Sequence, residues 1–175
     1  MGFQTNVRIG QGGATLGEVR FGSPMSADPK IILSTAAANN VIGRAVQVIA
    51  ASDLGVTADL GSAGIFAGIL IHPKSYSLQG TSEGTLESSV TLRNNENIEV
   101  LTMGTMTVAI TSAGNIGDEI YFNFNTGVLL AQAPGGSAPA DHARVPGGFV
   151  VRQNIPAPSG SATEVLAYIK VGAVA

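Results

Sequence analysis

Residues 105–132 (TMTVAITSAGNIGDEIYFNFNTGVLLAQ) constrain the fold more than any other stretch, because apolar and polar residues alternate through most of it. Two runs carry apolar side chains at every second position, namely Met106, Val108 and Ile110, then Ile120, Phe122 and Phe124. A period of two is typical of a half-buried β-strand. Asn125-Thr126-Gly127 fits a three-residue turn, with Gly127 where a left-handed backbone is needed, and Val128-Leu129-Leu130 fits the returning strand. The stretch predicts a β-hairpin preceded by a third strand.

The rest of the chain contains further short strand signals and no convincing helix. Strands are predicted at residues 43–51, 65–72, 85–92, 98–103, 148–153 and 163–171, whereas 53–63, 73–84 and 133–139 have the composition of loops. Residues 30–40 fit either a short strand and turn or a single helical turn. A total of about eight to ten short strands, with turns roughly every 8–12 residues, predicts an all-β barrel or sandwich.

Length and glycine content divide the chain into an arm and a domain. A chain of 175 residues is most economically one domain, so we predict a single antiparallel β domain, a barrel or sandwich, at residues 29–175. Residues 1–28 are rich in glycine and show no regular period as a whole, which predicts an extended N-terminal arm. Such an arm is either disordered or ordered against a neighbour. Its large apolar residues favour the second, namely Phe3, Val7, Ile9, Leu16, Val19 and Phe21.

The charge composition argues against nucleic acid and membrane partners. The net charge is −3, and the nine Lys and Arg residues are scattered between Arg8 and Lys170 rather than clustered, so phosphate binding is not expected. No apolar run approaches the roughly 18 residues of a membrane span. The opening MGFQTN lacks the basic and apolar segments of a signal peptide, so we expect synthesis in a cytosol.

The chain is also poor in charge and has no cysteine. Charged residues make up 12% of the chain, about half the usual share, while the apolar share is an ordinary 45%. So few charges are typical of a surface that other protein partly covers, although small β domains can also be poorly charged. The absence of Cys excludes a disulfide framework, a thiolate zinc site and a Cys nucleophile.

No combination of residues predicts catalysis or the binding of a cofactor or metal. His72 and His142 are the only histidines, and they lie far apart in sequence without clustered acids nearby. Asp118 and Glu119 are adjacent in a strand and would point to opposite faces, so we expect them to cap a turn and to face solvent at the sheet edge. The glycine-rich residues 10–17 lack the preceding strand and the Lys-Ser/Thr pair of a phosphate-binding loop. We therefore predict that the protein is not an enzyme.

Six segments along the chain match a pattern found in one protein family. The main segment is GDEIYFNFNTG at 117–127, which has the form of a G-(D/Q)-x-V-Y-x-(N/D)-x-x-T-G hairpin with Ile in place of Val. The others are MGFQT at 1–5, GRAV at 43–46, AGILIH at 67–72, and the closing strands at 149–151 and 165–169. Together they resemble a family of tailed-phage virion proteins, the gp24-like structural cement or head-decoration proteins.

The resemblance implies an all-β decoration protein on the outside of an icosahedral head, bound to a major capsid protein with the HK97-type fold. It implies a homodimer or homotrimer that joins neighbouring capsid subunits and stabilises the shell, without catalytic residues or cofactors. Such a protein would be made in the cytoplasm of the host bacterium and would lie on the outer surface of the virion. The candidate residues for contact with the capsid or with a neighbouring copy lie in the arm: Phe3, Val7, Arg8, Ile9, Arg20 and Phe21.

Two regions depart from the family pattern, and other functions stay open. Residues 75–97 are more polar than the family norm, and 137–145 are expected to form an extra loop, so the family pattern does not define the strand register in these two regions. The alternative function is a ligand- or carbohydrate-binding β module of a virion fibre or adhesin, which would need an aromatic-lined pocket, and the chain has no Trp. A minor coat or tail component is a further alternative within the virion.

Overall fold

A computed structural model describes residues 16–19, 24–34, 36–49, 52–71, 92–159 and 163–172 of the chain. The described residues form nine β-strands, one short 3-10 helix and no α-helix. The strands are β1 Ser26–Ile32, β2 Ala45–Ile49, β3 Ser52–Thr57, β4 Phe66–Leu70, β5 Asn97–Ile110, β6 Glu119–Asn123, β7 Leu129–Gln132, β8 His142–Val150 and β9 Val165–Val171, and the 3-10 helix is Ala37–Asn39. The predicted all-β class is confirmed.

Five strands close into a barrel, which we call the N-terminal barrel. Its strand order is β1-β3-β2-β4-β5, and β5 pairs back onto β1. β1 runs parallel to β3, and the other four pairings are antiparallel. Only residues 97–103 of β5 take part. The predicted boundary between arm and domain, after residue 28, falls within β1.

The remaining strands form a second closed arrangement, which we call the C-terminal ring. Residues 104–110 of β5 pair with β9, and the order continues through β8, β6 and β7 back to β5. Seven residue pairs join β5 to β9, whereas β5 and β7 run parallel and share a single pair, Ile110 with Leu129. β5 therefore belongs to both the barrel and the ring.

Gly104 lies where β5 passes from the barrel to the ring. Its backbone has φ +144°, and a Cβ at this position would lie 3.3 Å from the Leu101 side chain. Any larger residue would therefore meet both an unfavourable backbone conformation and a crowded neighbour. The sequence predicts one strand at 98–103 and a separate strand at 105–111. The structure instead has one continuous strand of 14 residues, with the unusual backbone at Gly104 inside it.

Two clusters of buried side chains fill the two halves. The cluster of the barrel is aliphatic and comprises Ile32, Val46, Val56, Ala58, Ala67, Leu70, Leu92, Ile98 and Val100. The larger cluster packs in the ring, around Met106, Phe122 and Ile169, and it also takes Ala45, Ile69 and Leu101 from the barrel strands. The two faces of β2, β4 and β5 thus serve different cores. This double burial explains the apolar run at 66–71, and the prediction of a strand buried on both faces is confirmed for β4.

The predicted hairpin is present, formed by β6 and β7 in antiparallel register. The turn residue Gly127 has φ +68°, as its position in the sequence predicts, and its N–H donates to the Asn123 carbonyl over 2.8 Å. The turn also docks onto the barrel, because the Ala45 N–H donates to the Gly127 carbonyl and the Gly61 N–H to the Phe124 carbonyl, each over 2.9 Å. The hairpin therefore connects the two halves of the molecule.

Two stretches that the sequence predicts as loops contain strands. β3 lies within the predicted loop 53–63, where Asp53 and Gly55 weaken the strand pattern. β8 begins at His142 within the predicted extra loop 137–145, and Pro146 and Gly147 interrupt its apolar alternation. Both strands exist because neighbouring strands pair with them, which outweighs a weak local preference. The predicted strand at 85–92 lies outside the described residues apart from Leu92.

Candidate interaction surface

The arm residues proposed for contact cannot be placed on the structure. Phe3, Val7, Arg8, Ile9, Arg20 and Phe21 all lie outside the described residues, as does His72. Two residues of the arm that were noted for their apolar side chains, Leu16 and Val19, are described. His142 stands at the start of β8 rather than in a loop, with its Nδ1 2.6 Å from the Ala140 carbonyl oxygen.

Residues 16–19 lie along β5 in the ring. Val19 forms an antiparallel bridge with Met106, the Gly17 N–H donates to the Thr107 carbonyl over 2.9 Å, and the Thr107 N–H donates to the Glu18 carbonyl over 3.0 Å. The Leu16 side chain covers Gly43, where an added Cβ would lie 2.9 Å from its Cδ1. This part of the predicted arm is therefore an element of the chain's own fold.

The paired acids Asp118 and Glu119 are structural, but both side chains are buried, at 9% and 8% exposed, instead of facing solvent as the sequence predicts. Asp118 caps the turn before β6, because its Oδ2 accepts the Asn115 N–H over 2.8 Å. Glu119 does not face solvent: it is 8% exposed and forms an ion pair with Arg144 over 2.8 Å. The predicted solvation of Glu119 is wrong, because β8 pairs with β6 and brings Arg144 opposite Tyr121, next to Glu119.

Tyr121 extends this polar group. Its hydroxyl lies 3.0 Å from Glu119 Oε2 and 3.3 Å from the Gly136 carbonyl oxygen. Burial of the phenol, with a further contribution from the hydrogen bond to Glu119, raises the pKa of Tyr121 above its ordinary value of 10.0. The loop after β7 thus covers the outer face of β6. Both faces of β6 are buried, although its alternation predicts only one.

An open groove lies on the seam between the barrel and the ring. Its volume is about 360 Å³ and its walls are mainly apolar. The barrel contributes Ser26, Phe66, Ala67, Thr102 and Met103, and the ring side contributes Pro146 and Gly172. We call it the seam groove. The described lining residues include no charged side chain, so the groove suits an uncharged partner.

The surface also presents large apolar side chains in both halves. Leu54 and Ile65 of the barrel are 56% and 74% exposed, and Ile116 and Leu166 of the ring are 58% and 45% exposed. Met25 stands close to Gly104, beside the strand residues of the seam groove, and is 41% exposed. Scattered exposed apolar residues are ordinary in a monomer. Here they accompany an apolar groove and a low overall charge, a combination typical of protein contact surfaces.

Sequence reasoning did not find the seam groove, because its lining comes from five separate parts of the chain. No local signal links Ser26, Phe66 and Pro146, and only the pairing of distant strands brings them together. The described ranges contain no group of three or more His, Asp or Glu residues that could hold a metal ion. Nor do they contain a helix long and apolar enough to cross a membrane.

The fold and these surfaces define an all-β protein with exposed apolar surfaces. A family model described as structural cement protein (E217 gp24/Pam3 gp6) matches residues 3–171. The chain therefore belongs to the phage structural cement protein family, which confirms the resemblance seen in its motifs. Membership places it among the structural proteins of the phage head, in association with the capsid.

One solved structure, described as the capsid of Myoviridae phage XM1, contains a chain with a similar fold. The TM-score is 0.61 and the sequence identity 16%, with 98% of each chain covered. At this identity the likeness concerns the fold alone. No curated protein sequence matches the chain.

Proposed function

We propose that the protein decorates the assembled phage head and cements it, by binding across neighbouring subunits of a major capsid protein with the HK97-type fold. The observation that carries the proposal is the match of the structural cement family model to residues 3–171. In this proposal the protein lies on the outer surface of the virion, is made in the cytoplasm of the host bacterium, and acts as a homodimer or homotrimer.

Cementing has a thermodynamic basis, because binding of the protein is linked to the assembly equilibrium of the shell. A site that is completed only where two capsid subunits meet binds the assembled shell better than it binds free subunits. Binding then shifts the equilibrium towards the assembled shell by a free energy that grows with the protein's concentration relative to its Kd. Because a shell carries many equivalent sites, modest individual contacts add up over the particle.

The two-part body supports contact with two neighbours at once. The barrel and the ring share β5 and are joined again through the hairpin turn, where Arg44 Nη1 donates to the Thr126 carbonyl over 3.2 Å. Each half exposes apolar side chains of its own, such as Ile65 and Ile116. A body built in this way holds two contact surfaces at a set separation, as a connector between subunits requires.

The arm is the proposed site of further contact. Phe3, Val7, Arg8, Ile9, Arg20 and Phe21 remain the candidates for contact with the capsid or a neighbouring copy. The contacts of residues 16–19 with β5 limit how the arm can be removed, because a deletion that reaches Phe21 would also strip Val19 from Met106. The informative deletion is therefore that of residues 2–15.

The test uses purified expanded heads that lack the protein. Adding the full chain should give stoichiometric binding and should raise the temperature and the guanidinium concentration at which the heads disrupt. The variant lacking residues 2–15 should bind at least tenfold more weakly while keeping the same melting temperature as a free protein. Heads that neither bind the full chain nor gain stability, or purified virions without it, would contradict the proposed function.

A further inference from the structure

The seam groove and residues 16–19 of the arm lie at different places along β5. The groove is lined by Thr102 and Met103. Val19 bridges Met106, and Leu16 lies beside Val108 and Gly43. Residues 19 to 16 thus run along β5 from Met106 towards its C-terminal end. The described part of the arm therefore begins at Leu16, at the end of β5 that is farther from the groove.

The separation is substantial for a molecule of this size. Val108 and Met103 are five residues apart in one strand, which corresponds to about 16 Å at 3.3 Å per residue. To enter the groove of its own chain, the segment before Leu16 would have to cover this distance back along β5. Residues 1–15 can span up to about 50 Å when extended, which is enough to reach an adjacent molecule.

The sequence of the arm suits the chemistry of the groove. Residues 1–15 contain a single charged residue, Arg8. Although the first 28 residues have no overall period, Phe3, Val7 and Ile9 share one parity, and the polar residues Gln4, Asn6 and Arg8 occupy the other. In an extended conformation the apolar residues would face one side, and the only charge would face away from it. The described lining of the groove is mainly apolar and has no charged side chain, and the groove volume of about 360 Å³ falls in the range of about 300–1,000 Å³ typical of binding clefts.

We propose that the seam groove of one molecule receives residues 3–9 of the N-terminal arm of a second copy. The contact is head-to-tail, because the described part of the arm begins beside one end of β5 and the groove lies nearer the other. Such a contact closes only if the rotation between copies returns to the first molecule, as it does in a trimer, or if two arms are exchanged in a dimer. The inference rests on the homo-oligomer of the proposed function, and it assigns the surface through which the oligomer forms.

The absence of cysteine makes cross-linking a direct test. A chain with Val7→Cys is mixed with a chain with Met103→Cys and oxidised, both free in solution and on expanded heads, and linked peptides are identified by mass spectrometry. We expect a disulfide between positions 7 and 103 of different chains. The control replaces Met103→Cys with Ser137→Cys, which lies in the exposed loop after β7 and should give at least tenfold less of the mixed disulfide. A single chain carrying Val7→Cys and Met103→Cys, oxidised at high dilution, reports whether the arm enters its own groove.

A substitution that places a charge in the seam groove provides a second test of the proposed contact. Met103→Glu places a carboxylate against the apolar residues of the arm, whereas Met103→Leu keeps the surface apolar. By light scattering, the full chain and Met103→Leu should have the mass of the oligomer. Met103→Glu and the variant lacking residues 2–15 should have the mass of one chain. A cooperative thermal unfolding transition in each of the two variants establishes that both are folded.

The outcomes separate this inference from the proposed function. A 7–103 link found only within one chain, no such link in solution or on heads, or an oligomer that survives Met103→Glu would each overturn the inference. If the full chain still binds and stabilises heads in those cases, the proposed function stands and the groove has another occupant. If the full chain fails to bind heads but the 7–103 link forms between chains, the proposed function fails and the inference stands.

Discussion

The barrel and the ring are both closed, but they are closed in different ways. In the N-terminal barrel, β5 returns to β1 through six residue pairs, so the closing contact is an ordinary ladder. In the C-terminal ring, β5 meets β7 at a single pair. The remaining gap is covered by other groups, namely residues 16–19 beside Thr107, and the Ser112 hydroxyl, which accepts the Ala131 N–H over 2.8 Å. The ring is therefore completed by parts that are not strands of the ring.

The cores of the barrel and the ring differ in the same way, because the barrel core is formed within the barrel and the ring core also uses residues of the barrel. The barrel core is aliphatic and comes from the barrel's own strands and the residues next to them. The ring core contains Phe122, whose ring lies 5.6 Å from that of Phe66 on β4, and it also includes Ile69 and Leu101. The ring thus packs against the outer face of the barrel. This asymmetry indicates that the barrel is the more self-sufficient half, and that the ring depends on the barrel and on the N-terminal segment.

The largest expected effect comes from Phe122→Ala. The side chain is 1% exposed, and its removal should lower the free energy of unfolding by about 3–5 kcal/mol, because a large cavity would open between the two halves. Chemical denaturation measures the loss. Since β5 and Phe66 tie the halves together, hydrogen exchange should accelerate in β2 and β4 as well as in the ring. Protection lost in the ring alone, with a second separate transition, would show that the halves unfold independently.

The next largest effect is expected for Gly127→Ala at the junction of the halves. An Ala here would adopt a left-handed backbone, which costs about 1–2 kcal/mol. Its Cβ would also clash with the Ala45 carbonyl oxygen, so we expect a total loss of about 3 kcal/mol. Gly135→Ala is the matched control, because φ is +76° but nothing lies within 4 Å of the added Cβ. Equal losses of thermal stability in the two variants would mean that the docking of the turn contributes nothing.

A smaller effect is expected when the segment that covers β5 is removed. Deleting residues 2–19 should cost about 2 kcal/mol more than deleting residues 2–15, because Leu16 and Val19 lose their packing and Thr107 loses two backbone hydrogen bonds. The Thr107 amide should then exchange faster, while amides of the barrel strand β3 should change little. If the two deletions have the same stability, the ring closes without the segment, and it is as self-sufficient as the barrel.

The smallest effect is expected for Tyr121→Phe, on the outer face of the ring. Loss of the hydroxyl should cost about 1 kcal/mol at neutral pH. Because folding raises the pKa of Tyr121, the folded state holds the phenol proton more tightly than the unfolded state. The stabilising contribution is complete below pH 10 and is lost as the pH rises through the folded pKa. Denaturation at several pH values should therefore show the wild type losing more stability above pH 10 than Tyr121→Phe does.

Local patterns in the sequence predicted much of the strand content. The alternation at 105–111 and 120–124, the Asn125-Thr126-Gly127 turn and the apolar run at 65–72 each predict an element that the structure contains. These signals are local, since a period of two or a glycine in a turn depends on few neighbours. The family resemblance rests on the same segments, and the match to residues 3–171 confirms it.

The closing of the barrel and the ring, and the composition of their surfaces, depend on contacts between distant residues, which local sequence patterns do not predict. β3 has a weak signal at Asp53 and Gly55, yet it forms because β1 and β2 pair with it. Glu119 lies in an exposed-looking position of the alternation, but the pairing of β6 with β8 brings it to Arg144. The seam groove likewise joins residues as distant as Ser26 and Gly172. The proposed contact residues of the arm stay predictions, because they lie outside the described residues.

The sharing of β5 has a mechanical consequence. A force that pulls the barrel away from the ring acts along one continuous polypeptide strand rather than across a linker. The six residue pairs with β1 and the seven with β9 lie along the direction of that pull, so their hydrogen bonds are loaded in shear and must yield together. The hairpin turn, in contrast, is held to the barrel by a few bonds that can peel one after another. Under tension the molecule should therefore release its hairpin first and its central strand last.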